Sequence, residues 1–142
     1  MTAKQYLRQL ALLEQQLKTI ADELEERRTR LASPAAPVLA EKVQSSPTGD
    51  AFARAVAQIA DKDIQRQELA YKYEALRDKI VDQILAIPNY LYELVLYERY
   101  VKHRTLVEIA EQANYSYTRI CHVHGAALVE FSKRYPEEVD NK

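Results

Sequence analysis

Six residues in the stretch SYTRICHVHGAAL have side chains suited to reading nucleic acid if a helix presents them: Ser116, Tyr117, Thr118, Arg119, Cys121 and His122. Thr118 and His122 are four residues apart, so a helix brings them to one face, where both can hydrogen-bond base edges. Tyr117 suits a phosphate oxygen or a thymine methyl, and Arg119 a guanine or a phosphate. Small Cys121 and Gly125 would let such a helix lie deep in a major groove. Lys102, His103, Arg104, Lys133 and Arg134 flank the stretch as candidate phosphate contacts. The chemistry implied is recognition of double-stranded DNA.

Charge argues against a strong single-module binder. From Pro88 to Tyr135 there are six Lys/Arg against five Glu, and the whole chain carries a net charge of −1. Phosphate neutralisation supplies most nonspecific affinity, so two copies per site or a bound partner is expected to make up the deficit. Other chemistries find less support. Cys121 and His124 share a helical side, but a structural zinc site usually has four ligands, so no metal or other cofactor is expected. The sequence shows no phosphate-cradling glycine loop and no nucleophile with a nearby base, which argues against an enzyme. Seven of the ten tyrosines fall between Tyr90 and Tyr135, and their helical spacing suits core and rim packing better than stacking on single strands.

Local signals define the elements that must hold these residues. Thr105-Leu-Val-Glu108 has the form of a capping box, which predicts a short helix from Leu106 with Leu106, Ile109 and Ala110 inward and Ala113 closing it. Asn114 tolerates the left-handed backbone of a tight turn, and Tyr115 is expected to plug the space beneath it. Ser116 is a good cap for a second helix with Ile120, Val123, Ala127, Leu128 and Phe131 inward. Ala110, Asn114, Ile120 and Val123 have the relative spacing of a helix-turn-helix, in which the residue at the crossing must be small.

Upstream, Thr2-Ala-Lys-Gln5 is another capping box. It opens a long helix over about 2–31 whose seam, Tyr6, Leu10, Leu13, Leu17, Ile20 and Leu24, steps by four and three, as in a coiled coil. Pro34, Pro37 and Pro47 predict a linker over 32–50, with Thr48 or Asp50 capping the next helix; Val38, Leu39 and Val43 suggest that part of it packs down. That second long helix runs over about 51–86, with Phe52, Val56, Ile59, Leu69, Tyr73, Leu76, Ile80, Ile84 and Ile87 as its apolar stripe. The two long helices pair as a hairpin, or the same seam joins two subunits. Pro88 suits the first position of the next helix, NYLYELVLYERYV. The acidic runs DELEE and PEEVD read as solvated surface.

The expected fold is therefore all-α: a coiled-coil-like hairpin over 1–87, a helix-turn-helix domain over 88–135, and a flexible tail over 136–142. Composition agrees, with 47% apolar and 29% charged residues, two glycines and five prolines in 142 residues. No run approaches the ~18 apolar residues of a membrane span, and the N-terminus lacks the apolar core of a secretory signal. A lone Cys121 fits a reducing, cytoplasmic setting.

TLVEIAEQANYSYTRICHVHGAAL resembles region four of bacterial sigma factors, TLVEIA matching its opening helix and SYTRICHVHGAAL its recognition helix. Over nearly the full length, through KVQSSPTGD, PNYLYELVLYERYV and HGAAL, the chain is similar to phage late-gene transcription regulators of the ArpU/RinA type. That resemblance implies a regulator of phage or prophage genes in a bacterial host, acting on promoter DNA and touching host RNA polymerase. It carries the sigma-like DNA contacts onto Tyr117, Thr118, Cys121 and His122. Sigma factors commonly have a basic residue at the position of Cys121 and Gln at that of His122, so a −35 preference does not transfer. No segment resembles the −10-binding part. A homodimer is expected to set two recognition helices about one DNA turn, ~34 Å, apart. Two other readings stay open: a DNA-recognition subunit of a phage packaging machine, and a structural coiled-coil adaptor that binds no DNA.

Overall fold

The computed structural model describes residues 1–32 and 47–139, and among them every regular element is helical. In chain order these are α1 (Ala3–Ala32), α2 (Pro47–Leu85), α3 (Tyr90–Leu96), a π-helical turn (Tyr97–Val101), α4 (Leu106–Ala113) and α5 (Tyr117–Arg134). Of the expected linker over 32–50, the described part from Pro47 on already belongs to α2. Pro47 therefore opens that helix, and Thr48 and Asp50 lie inside it rather than capping it. The packing expected of Val38, Leu39 and Val43 lies outside the described residues.

The chain divides into two compact units, one of Met1–Glu14 with Tyr73–Lys142 and the other of Gln15–Lys72. This differs from the expected boundary at residue 87. Both long helices belong to both units, because their outer ends pack with the C-terminal helices while their remaining turns pack with each other.

In the first unit, the Thr2 capping box forms as expected: the Thr2 amide donates to Gln5 Oε1 at 2.8 Å and the Gln5 amide to Thr2 Oγ1 at 3.2 Å. From that start α1 buries Ala3, Tyr6, Leu7 and Leu10 against Ile80, Ile84 and Ile87, together with Leu96, Tyr100, Ala127 and Phe131. Leu7 is an addition to the predicted seam. A strict heptad stripe is too narrow for a helix covered by several neighbours, which needs the broader face of a globular core. Buried Gln83 ties the unit together, its side-chain carbonyl accepting the Tyr6 hydroxyl at 2.9 Å and its backbone carbonyl the Tyr135 hydroxyl at 2.7 Å. Burial raises the Tyr6 phenol above its ordinary pKa, with the Glu138 charge adding to the effect.

The expected flexible tail is corrected by the structure through residue 139. Glu138 of the PEEVD run pairs with Lys79, and Val139 is only 3% exposed. The ion pair and the apolar contact hold a segment whose composition alone suggests solvent.

Pro88 does not open α3. It precedes Asn89, whose side chain caps the helix by accepting the amides of Leu91 and Tyr92 at 3.1 and 3.2 Å. The predicted continuous helix NYLYELVLYERYV slips instead into a π-helical turn, closed by the Lys102 amide donating to the Tyr97 carbonyl at 3.1 Å. The extra residue in that turn re-phases the chain so that adjacent Tyr100 and Val101 both enter the core.

In the second unit the two long helices touch through Arg27, which donates to Gln58 Oε1 at 3.4 Å, and through Arg28, 3.7 Å from Asp63. Leu24 is buried, while Leu17, Ile20, Ile59 and Leu69 are half-buried. The expected stripe fails at its start: Phe52 is 57% exposed and Val56 is also exposed.

Candidate nucleic-acid interface

Within the first unit, α4 and α5 are joined by a turn that local chemistry determines. The Thr105 hydroxyl accepts the Glu108 amide at 3.2 Å and donates to the Glu108 carboxylate at 3.1 Å, fixing the start of α4. At the other end Asn114 takes the left-handed conformation, φ 59° and ψ 39°. The next amide, that of Tyr115, then reaches back to the Ala110 carbonyl at 3.0 Å, which closes the helix in a Schellman-like turn. Two residues after Asn114, the Ser116 hydroxyl accepts the Arg119 amide at 3.1 Å and starts α5.

Ile109, Ala110, Ile120 and Val123 bury against Val95 of α3, with Leu91, Tyr92 and Leu106 closing around them. Ala110, only 4% exposed, is the smallest member of that cluster. Farther along α5, Ala127 and Phe131 enter the core shared with α1 and α2. The N-terminal half of α5 is thus braced from one side and leaves its other side open. Tyr115 departs from expectation. It is not buried beneath the turn but 42% exposed, with the Arg119 guanidinium 5.5 Å from its ring centre.

Of the candidate contact residues on α5 and its cap, Ser116, Tyr117, Thr118, Arg119 and His122 are exposed and Cys121 is half-buried. At 100° per residue, Thr118, Cys121, His122 and Gly125 share one face, and exposed Val129 continues it. A β-carbon built on Gly125 meets no heavy atom within 4 Å. Internal packing therefore does not explain a glycine in the middle of this helix.

The flanking cations are not equivalent. Lys102 is exposed, its ammonium 5.9 Å from the Tyr97 ring centre. His103 has a left-handed backbone at φ 60° and pairs with Glu14. Arg104 lies 3.1 Å from the Glu98 carboxylate and its amide donates to the Glu98 carbonyl at 2.9 Å, so this cation is already balanced inside the unit. Lys133 and Arg134 are exposed in the last turn of α5. They lie about 22 Å beyond Thr118 along the axis at 1.5 Å per residue, so they do not join the cluster at its start.

Sequence reading missed a second set of cations. Tyr100 and His124 share a hydrogen bond of 2.7 Å, and burial depresses the His124 pKa, assisted by the charges of Lys4, Arg99 and Arg8. The charges of Lys4 and Arg8 of α1 therefore reach His124 in the middle of α5. No local signal pairs residues separated by more than a hundred positions.

Comparison with known proteins adds nothing to this geometry. No family model, no curated protein and no solved structure matches the chain. Among the described residues, no helix is long and apolar enough to cross a membrane, and no group of three or more His, Cys, Asp or Glu is placed to hold a metal ion.

Proposed function

We propose that the chain is a sequence-specific DNA-binding transcriptional regulator, with α5 as its recognition helix and α4 as the brace behind it. The observation that carries this reading is the open face of the first half of α5. Thr118 and His122 offer hydrogen bonds there, Tyr117 flanks them, and Gly125 leaves room for close approach. A recognition helix contacts base edges mainly through its N-terminal residues, and these residues occupy that position. Arg119 of α5, together with Lys4 and Arg8 of α1, whose charges reach His124, supplies positive charge that the sequence segment 88–135 lacks by itself. In this reading Lys102 contacts phosphate, while Arg104, Lys133 and Arg134 contribute less than expected.

On the resemblance to ArpU/RinA proteins, the genes regulated are late genes of a phage or prophage, the effect is activation, and the host RNA polymerase is a partner. The test is genome-wide footprinting of the tagged full-length protein in its host, beside the Thr118→Ala, His122→Ala double variant. Enrichment at a promoter upstream of structural genes, lost in the variant, supports the regulator. Enrichment at a packaging start site would replace it with a packaging subunit. No enrichment, with no DNA shift at low salt, would leave only an adaptor.

A further inference from the structure

The second unit holds an uncharged, mostly apolar stripe that its own partner helix does not use. Ala53, Ala57, Ala60, Ile64, Gln67 and Tyr71 of α2 succeed one another in steps of four and three, and all six are exposed. Tyr71 is 80% and Ile64 53% exposed. The spacing is that of a coiled-coil seam, and it faces away from the stripe of Ile59, Leu69 and Tyr73. The outward side of α1 in the same unit is different, carrying Lys18, Asp22, Glu25, Glu26 and Arg30. An ordinary solvated face resembles the α1 pattern; the α2 face has no charge at six successive seam positions.

We infer that this face pairs with the same face of a second copy of the chain, antiparallel, with the two-fold axis passing between Ala60 and Ile64. Two features of the sequence favour that arrangement. The seam is complementary to itself when reversed. Ala60 meets Ile64 of the second copy, Ala57 meets Gln67, and Ala53 meets Tyr71, so small residues face large ones throughout and the layers interdigitate. The flanking charges also match, since Arg54 comes beside Glu68 of the second copy, once on each side of the axis.

A parallel pairing does worse on both counts. It stacks alanine on alanine in three layers and sets Asp63 against Glu68 on both flanks. The antiparallel form keeps two like-charge meetings at the axis, Asp61 with Asp61 and Asp63 with Asp63. Asp63 is already balanced by Arg66 at 3.0 Å and Arg28 at 3.7 Å, which leaves Asp61 as the opposing charge. The pairing stands independently of what α5 meets.

Sedimentation equilibrium of the full chain without DNA, at low salt, tests it. The wild type is expected to dimerise. Ile64→Glu is expected to abolish the dimer while circular dichroism keeps its helix signal, because the side chain is exposed in the monomer. Arg54→Glu sets Glu beside Glu68 twice and should weaken the dimer about tenfold or more. Adding Glu68→Arg should restore it. Arg54 and Glu68 are about 21 Å apart along one helix, too far for that rescue to arise within a chain. Asp61→Asn should tighten the dimer. A wild type that stays monomeric, a dimer indifferent to Ile64→Glu, or a charge reversal that is not rescued would each overturn the pairing.

Discussion

The two halves of α5 belong to one continuous helix and do opposite things. The first half buries Ile120 and Val123 against α3 and α4, half-buries Cys121 and His124, and leaves Tyr117, Thr118, Arg119 and His122 exposed. The second half drives into the core of the unit. Phe131 is fully buried, 5.8 Å from the Tyr6 ring centre and 4.8 Å from that of Tyr135. One helix thus combines an anchor and an exposed face. The rigidity of the first half is obtained from the packing of the second, because a helix of 18 residues moves as one rod. A surface meant to meet an external partner gains from this, since its side chains are positioned before contact and less ordering is lost on binding.

The largest expected effect comes from the anchor. Phe131→Ala should lower the unfolding free energy by about 3–5 kcal/mol, measured by urea denaturation. The cavity would open between α1, α2 and α5 at once. A loss below about 1 kcal/mol would mean that the second half is not the anchor.

Gly125→Ala sharpens the contrast from the other side. A β-carbon there meets nothing, and alanine is favoured over glycine in a helix interior, so stability should rise by about 1 kcal/mol. In the proposed DNA-binding role of α5, the same change should weaken binding to promoter DNA in a mobility-shift titration. A variant that gains stability and keeps its DNA affinity would show that nothing approaches α5 closely at that point.

The smallest effect belongs to the junction of the two halves. Burial and neighbouring cations depress the His124 pKa, so the unfolded chain takes up a proton more readily than the folded one. Its contribution to stability is complete above the unfolded value of about 6.5 and is lost as pH falls from there through the depressed folded value. A shallow fall in melting temperature over that window is expected, and it should flatten in His124→Gln. The Tyr100 hydroxyl can still bond a glutamine, which separates titration from loss of the contact.

Much of this could be read residue by residue. The caps at Thr2, Thr105 and Ser116, and the left-handed turn at Asn114, depend on hydrogen bonds between residues close in the chain, so their spelling suffices. The open face of α5 is legible in its periodicity, since Ile120, Val123, Ala127 and Phe131 mark the inner side and fix the outer one. The π-helical turn at Tyr97–Val101 left no such mark. Its slip places Tyr100 and Val101 in a core that α1 and α2 also build, and only that core rewards it. Phe52 and Val56 continue an apolar stripe by spacing, yet both stay exposed in the described structure.

The amino-acid order alone therefore determined the starts of α1, α4 and α5 and the inward faces of those helices, because these depend on bonds and spacings within a few turns. Tertiary structure decided which faces found a partner. It brought Lys4 and Arg8 to α5, balanced Arg104 with Glu98, and packed Glu138 and Val139 down. Those outcomes depend on which distant segments arrive together, and helical period and capping chemistry do not encode that.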